Sequence, residues 1–184
     1  MFDRKERLEI NMIKKIVRGQ HIFKKAEKAS EADRQVVTDL MDTLRANLDH
    51  CVGMAANMIG VNKSIIVVAA GPFQFVMVNP VITAKSGEYK TKESCLSLDG
   101  ERECIRYQEI EVDYLDADFK PQHGKYSGFT AQIIQHEIDH CHGTVAVPSL
   151  QAGIGKNSCG QHGSNRGGNC RPVKCRSAGY SPDL

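Results

Sequence analysis

The stretch around which this chain is organised is Gln135-His136-Glu137-Ile138-Asp139-His140, near the end of its globular part. On a helix, side chains four positions apart lie on one face, about 5 to 6 Å from each other, so both histidine rings can point at one spot. A metal ion fits between them, and Glu137 lies close enough to hydrogen-bond a water on that ion without binding it. The pattern predicts a metal-dependent hydrolase. A surface helix that carries two histidines and two acids by chance is the alternative, and a third ligand would exclude it.

The length and composition of the chain limit what it can be. Its 184 residues suffice for one domain whose hydrophobic core can fold without stabilising cross-links. A net charge of +2 gives no argument for a nucleic-acid or membrane partner. Seven cysteines scattered singly indicate reduced thiols, and residues 1–15 contain no apolar run of the kind that a secretory signal needs. Since no stretch approaches the roughly 20 apolar residues of a membrane helix, we expect a soluble, cytoplasmic protein.

Helical periodicity appears on both sides of a central region. Ser30-Glu31-Ala32-Asp33 has the spacing of an N-terminal capping box, and apolar residues then recur at three- and four-residue intervals from Val36 to Leu48. This pattern predicts an amphipathic helix of about four turns. The helical period returns at Ser127 or Gly128 and continues through the histidine pair.

The central region has the pattern of strands. After a glycine-containing loop at 51–60, β-branched and apolar runs predict strands at 64–69 and 73–78, with Asn79-Pro80 ending the second. Shorter strands are expected at 81–83 and 88–91 around Ser86-Gly87, and a cleanly alternating antiparallel strand at 109–114. The element order predicts an α+β fold, with antiparallel sheets packed around a C-terminal metal-binding helix and an N-terminal amphipathic helix.

The third ligand is sought among residues that the strands can bring to the last helix, and Cys95 is the candidate. A thiolate and two imidazoles make a three-ligand site with an open fourth position, as in catalytic rather than structural zinc sites. Taken alone, a cysteine such as Cys95 is most often a small buried hydrophobic residue.

Three segments of the chain resemble, in order, the three signature motifs of the peptide deformylases. They are Gly53-Met54-Ala55-Ala56, Glu93-Ser94-Cys95-Leu96-Ser97 and His136-Glu137-Ile138-Asp139-His140. Three motifs in register, joined by the expected helix and strands, confirm one another through their context. The similarity predicts a deformylase-like catalytic domain at 12–147, after a charged extension at 1–11.

Residues 148–184 resemble nothing in that family. They form a Gly/Ser/Cys-rich tail without hydrophobic periodicity, which predicts poor order. A second zinc site in this tail is an alternative, although the spacing of its candidate ligands matches no familiar zinc-knuckle motif. Those candidates are Cys159, His162, Cys170 and Cys175.

The resemblance implies an activity. Deformylases remove the N-formyl group from the initiator methionine of nascent bacterial proteins and release formate, with a divalent metal held by one cysteine and two histidines. By match, the metal ligands are Cys95, His136 and His140, Glu137 is the general base, and the backbone N–H of Leu96 stabilises the oxyanion. The resemblance also implies Fe²⁺ as the working ion, with Zn²⁺, Ni²⁺ or Co²⁺ as substitutes.

The substrates that the resemblance implies are N-formylmethionyl peptides and nascent chains at the ribosome, bound by a monomer. Val52 and Gly53 resemble residues that run alongside the substrate backbone, and Phe129 and Ile133 resemble the lining of a methionine pocket. Phe129 and Ile133 are equally what a core helix would show. Asp139 is expected to support a histidine from outside the metal's ligand sphere.

The sequence departs from the family pattern mainly at Met58, where the family has an oxyanion-binding glutamine. A thioether cannot donate a hydrogen bond, so we expect reduced activity unless another donor, with Asn57 and Ser94 as candidates, takes its place. Cys51 and Ser94 also replace family glycines. A non-catalytic homologue that binds metal or formyl-methionyl chains is therefore the alternative, although retention of Glu137 argues against it.

Overall fold

A computed structural model describes residues 13–19, 24–95 and 98–144, with backbone only at 98–100. In chain order its elements are a 3-10 helix at Glu31–Asp33, helix α1 at Arg34–Arg45, strand β1 at Gly53–Ala55, a second 3-10 helix at Ala56–Ile59, strands β2 at Ile65–Ala70, β3 at Phe73–Cys95, β4 at Leu98–Leu115 and β5 at Pro121–Ser127, and helix α2 at Gly128–His142. The predicted extension 1–11 and tail 148–184 lie outside the described residues. Across the described part of the chain, every helix is too short or too polar to span a membrane.

The strands form one antiparallel sheet in the order β1-β2-β3-β4-β5. Each strand pairs with its chain neighbour, from Gly53 opposite Val68 at one edge to Leu115 opposite Pro121 at the other. The short β1 is therefore an edge strand, and it carries the first of the three motifs. The predicted α+β class, with antiparallel strands and a C-terminal helix that carries the histidines, is confirmed.

Strand β2, next to the edge strand β1, separates two apolar clusters. Its residues alternate in direction: Ile65 and Val67 belong to a cluster that includes α1, and Ile66 and Val68 belong to a cluster that includes α2. We call these the α1-side cluster and the α2-side cluster. Because both faces of β2 are covered, its sequence is continuously apolar rather than alternating. This double coverage fixes α2 against the sheet and thereby positions the histidine pair.

Strand β3 is one long strand, so two expectations about its boundaries were wrong. At Asn79-Pro80 the pairing register with β4 shifts, which marks a bulge rather than the predicted end of the strand. Asn79 has φ 53°, and its side-chain amide exchanges hydrogen bonds of 2.8 and 2.9 Å with the backbone of Ala29. At Ser86-Gly87, where a connection between short strands was predicted, pairing with β4 continues without a break.

Three further outcomes concern the ends of α1 and the strand β5. The capping interaction at Ser30 is confirmed, since its N–H donates to the Asp33 carboxylate at 2.9 Å. Helix α1, however, ends at Arg45, and Leu48, predicted to lie on its core face, is 41% exposed. Strand β5 was not predicted because its sequence, Pro121–Ser127, is mostly polar and exposed; pairing with β4 creates it.

Gln135 fastens α2 to the sheet. Its side chain is buried, and its amide accepts from the Tyr107 N–H at 3.0 Å and donates to the Tyr107 carbonyl at 2.9 Å. Strand β5 pairs with β4 only from Glu109 onward, so at Tyr107 this glutamine takes the position of a neighbouring strand.

Replacing Gln135 by Leu should therefore destabilise the fold. The change leaves a part-buried backbone donor and acceptor on Tyr107 without their partner, which costs about 1 to 3 kcal/mol. Urea unfolding followed by circular dichroism measures the loss. Gln122→Leu is a matched control, because Gln122 donates to Asp116 on the exposed surface; equal losses in both variants would contradict this assignment.

Candidate active site

Strand β3 and helix α2 each present a row of polar side chains to the other. On β3, Glu93 and Cys95 are two residues apart and so share a face of the sheet. On α2, His136 and His140 are four residues apart and share a face of the helix. Because α2 packs across the sheet, the two rows meet.

The three predicted metal ligands come together where these rows meet. One donor atom from each of Cys95, His136 and His140 lies within 4.8 Å of the others. The Cys95 Sγ is 3.2 Å from the His140 Nε2, and the two imidazole centroids are 5.1 Å apart. One thiolate and two imidazoles match the preference of zinc and the later first-row transition metals. The residues present therefore fit a single divalent cation.

Glu137 is buried beside these residues, with 4% of its surface exposed. Burial raises the pKa of its carboxyl group to about 7, because the charged form loses its hydration. Its Oε2 has no hydrogen-bond partner among the described residues. A carboxyl group with a pKa near neutrality can both accept and return a proton at physiological pH, which suits a general acid–base catalyst.

Glu93 and its partner Arg106 are site residues that the sequence did not reveal. The Glu93 Oε2 lies 2.8 Å from the His136 Nδ1, and Arg106 donates to both Glu93 oxygens, at 2.8 and 2.7 Å. Burial would raise the pKa of Glu93, but the bonds from Arg106 and His136 outweigh it and hold that pKa well below its usual range. The available signal was the position of Glu93 two residues before Cys95, on the same strand face.

Asp139 was expected to support a histidine, but its side-chain contact is with Arg106. It accepts a 2.7 Å hydrogen bond from Arg106, whose side chain is 6% exposed, and so supports the arginine that holds Glu93. The support of His136 thus runs through Glu93 and Arg106 to Asp139. Such outer partners orient the ligand ring and raise its basicity.

The two histidines differ in their protonation. Burial lowers the pKa of His136, but its hydrogen bonds to Cys95 and Glu93 outweigh this and raise the pKa to about 10. Burial and the neighbouring His136 charge lower the pKa of His140 to about 3. Histidines bind metals in the neutral form, so a cation would compete with the proton on His136 and release it.

The four predicted substrate residues differ in how far they are buried. Gly53 and Ile133 are buried next to Glu137, whereas Val52 is 42% and Phe129 65% exposed. Phe129 lies in the first turn of α2, on the surface of the described structure. Ile133 thus faces the site, and the packing gives Phe129 no comparable position.

The residues at and around the family's oxyanion-binding position are also placed differently. The Met58 side chain is 2% exposed and belongs to the α1-side cluster, while Ile133 and Ile138 of α2 belong to the α2-side cluster. Asn57 donates its amide to the His140 carbonyl at 2.9 Å and so ties the second 3-10 helix to the last turns of α2. Leu96 lies outside the described residues.

Gly53 leaves no room for a side chain. A methyl group there would lie 2.7 Å from the Glu137 Oε1 and 2.7 Å from the Ile133 Cγ2. Gly53→Ala should displace the glutamate and lower turnover by about 10- to 100-fold, since misplacing a catalytic group by about 1 Å has effects of that size. Steady-state kinetics with metal content measured in parallel tests this.

The control is Gly71→Ala, remote from the site. Gly71 has φ 59° and nothing within 4 Å of the added methyl group, so the change strains the backbone without crowding a neighbour. It should lower stability and leave turnover unchanged. Equal turnover losses in the two variants would mean that Gly53 acts only through stability.

A cysteine, two helix-borne histidines and an adjacent buried glutamate, on an α+β scaffold, define a mononuclear metal-dependent hydrolase. Residues 13–153 match the model of the family described as polypeptide deformylase. The peptide deformylase of Clostridium beijerinckii is 53% identical over 135 residues, covering 73% of this chain and 99% of that protein. The peptide deformylase of Pelotomaculum thermopropionicum is 38% identical over 132 residues, covering 70% and 85%.

The fold agrees with this assignment. The crystal structure of a peptide deformylase from Legionella pneumophila superposes with a TM-score of 0.66 at 32% identity, covering 76% of this chain and 87% of that one. The chain belongs to the peptide deformylase family, and the resemblance found in its three motifs is confirmed.

Proposed function

We propose that this protein is a metal-dependent hydrolase that removes the N-formyl group from the N-terminal formyl-methionine of nascent polypeptides and releases formate. The observation that carries the proposal is the convergence of Cys95, His136 and His140, with donor atoms within 4.8 Å, beside the buried Glu137. A structural metal site has no need for a buried carboxyl group with a raised pKa. The non-catalytic alternative is therefore not favoured.

In this mechanism the metal would be held by Cys95, His136 and His140. When bound, a divalent cation supplies Lewis-acid activation of water and polarisation of the formyl carbonyl. Glu137 accepts the proton of the attacking water and then delivers it to the departing amine, so it serves first as base and then as acid. Glu93, held by Arg106, keeps the His136 ring oriented.

The substrate backbone would lie along the free edge of β1, next to Val52 and Gly53. An extended peptide pairs readily with an exposed sheet edge, which would bring its N-terminus towards Glu137. Ile133 would contribute to the pocket for the methionine side chain, with Phe129 at its solvent side. The Leu96 N–H would stabilise the oxyanion, and Met58, at the family's glutamine position, would add no donor to it.

We further propose Fe²⁺ as the physiological ion, with Zn²⁺, Ni²⁺ or Co²⁺ as substitutes, since the donor set accepts all four. The expected setting is the cytoplasm, with a monomer acting on chains that emerge from the ribosome. The catalytic domain is proposed at 12–147, flanked by the extension 1–11 and the tail 148–184; the family match over 13–153 supports that core.

Formate release from an N-formyl-methionyl peptide tests the proposal. The chain is stripped with a chelator, reloaded anaerobically with Fe²⁺, Ni²⁺ or Zn²⁺, and compared with the stripped protein. We expect formate only from the reloaded protein, and most from the Fe²⁺ and Ni²⁺ forms. The N-acetyl peptide of the same sequence is the substrate control. No formate above the stripped control with any of these ions would overturn the proposed activity.

A further inference from the structure

The polar rows of β3 and α2 continue beyond the metal ligands. Tyr89 lies four residues before Glu93 on the same face of β3, and Gln132 lies one turn before His136 on α2. The Tyr89 hydroxyl donates to the Gln132 Oε1 at 3.0 Å, and the Gln132 Nε2 donates to the Glu93 Oε1 at 2.9 Å. Both side chains belong to no signature motif.

Gln132 completes the hydrogen bonding of the Glu93 carboxylate. The Oε1 accepts from Arg106 and Gln132, and the Oε2 accepts from Arg106 and His136. Two donors on each oxygen fill the positions that a carboxylate offers. Gln132 thus gives the Oε1 a second donor beside Arg106, as His136 does for the Oε2.

Tyr89 holds the Gln132 amide in the orientation that Glu93 requires. A glutamine amide can present either its NH₂ group or its carbonyl oxygen, and the oxygen would repel a carboxylate. Because the ionised carboxylate can only accept, the NH₂ group of Gln132 faces Glu93, and the Tyr89 hydroxyl donates to the Gln132 Oε1 on the other side. Burial and the nearby Glu93 charge raise the pKa of Tyr89, which keeps the hydroxyl protonated as a donor.

We propose that Tyr89 and Gln132 are positioning residues, which fix the Glu93 carboxylate so that it orients His136 and thereby strengthens metal binding. The inference rests on the metal site of the proposed function. Tyr89 acts only through Gln132, and Gln132 acts through Glu93. The two residues therefore affect metal affinity and the geometry of the bound ion, and they do not touch the substrate.

Metal affinity in Gln132→Met, Tyr89→Phe and the double variant tests this chain of contacts. Zn²⁺ binding is measured by competition with a chromophoric chelator, which requires no enzymatic turnover. We expect the Zn²⁺ Kd of Gln132→Met to rise about 10-fold, the lower end for partners of a ligand. Tyr89→Phe should raise it about three-fold, as expected for one neutral hydrogen bond. The double variant should equal Gln132→Met, because the two changes interrupt one path.

The visible absorption of the Co²⁺-loaded protein gives a second readout that a loss of stability alone would not change. It should shift in Gln132→Met. Two matched controls remove similar but exposed hydrogen bonds elsewhere: Gln122→Met removes the bond to Asp116, and Tyr107→Phe removes the bond to Glu88. Neither control should change the Kd or the Co²⁺ spectrum.

An unchanged Zn²⁺ Kd in Gln132→Met, an unchanged Co²⁺ spectrum, or strictly additive effects in the double variant would overturn the inference. Tyr89→Phe removes a single hydroxyl group, so the path can be tested even where Gln132→Met fails to fold. Failure of the proposed function is a separate result: in that case the unmodified chain itself would bind no Zn²⁺ or release no formate.

Discussion

Glu137→Gln is expected to lower the rate of formate release by about 10²- to 10⁴-fold, the range that general acid–base catalysis contributes. The amide keeps the size of the buried side chain and its contact with Gly53 but cannot accept and return a proton. Metal content should stay at the parental level, because Glu137 is not among the three residues whose donor atoms converge. Single-turnover assays with metal analysis separate these effects.

Stability provides the control for Glu137→Gln. The folded-state pKa of Glu137 is raised to about 7, so folding of the parent protein disfavours the ionised carboxylate and loses stability as the pH rises from about 4 towards 7. The glutamine variant lacks this loss and should be at least as stable as the metal-free parent at pH 7. A variant that retains the parental rate would remove Glu137 from the mechanism.

Arg106→Leu is expected to destabilise the protein by about 3 to 5 kcal/mol, the usual cost of removing one partner from a buried ion pair. Arg106 lies between two carboxylates, 2.7 Å from Glu93 and 2.7 Å from Asp139, and its own side chain is 6% exposed. Leucine would leave the buried Glu93 without its cation. Guanidinium unfolding of the metal-free proteins measures the difference in the free energy of unfolding.

The pH dependence of this difference identifies its cause. In the parent, the lowered pKa of Glu93 contributes stability that is present above its unfolded-state pKa and is lost as the pH falls through the folded-state value. In Arg106→Leu, Glu93 can take up a proton at higher pH. The difference in the free energy of unfolding between the two proteins should therefore become smaller below about pH 4. If this difference in the free energy of unfolding does not depend on pH, the loss of stability is due to packing and not to the Glu93 charge.

A surface ion pair serves as the comparison for Arg106. Lys92 lies 3.9 Å from Glu103, and both side chains are largely exposed. Lys92→Met should leave the unfolding midpoint unchanged, because solvent screens such pairs. A comparable loss in Lys92→Met would mean that burial does not set the cost at Arg106.

The sequence allowed the fold class and the convergent residues to be predicted, because both leave local patterns. Helical spacing placed His136 and His140 on one face, an apolar run located β2, and alternation located the C-terminal part of β4. The boundaries were less predictable. Asn79-Pro80 breaks a strand by local preference, yet the contacts of Asn79 with Ala29 convert it into a bulge.

Strand β5 and the partners of the ligands depend on contacts between distant parts of the chain. Pro121–Ser127 has no strand pattern of its own and becomes a strand by pairing with β4. The bond between Glu93 and His136 joins residues 43 positions apart. The periodicity within a segment does not predict such a contact, because the contact forms only when α2 packs across the sheet.

The sequence by itself thus determined the chemistry of the centre: a thiol, two imidazoles and a carboxyl group in motifs that belong to one enzyme family. Tertiary structure decided how that chemistry is tuned. Packing buried Glu137 against Gly53, which raises its pKa, and it placed Glu93 and Arg106 behind His136. Burial and neighbouring charge set pKa values, and both are properties of the folded chain rather than of any segment.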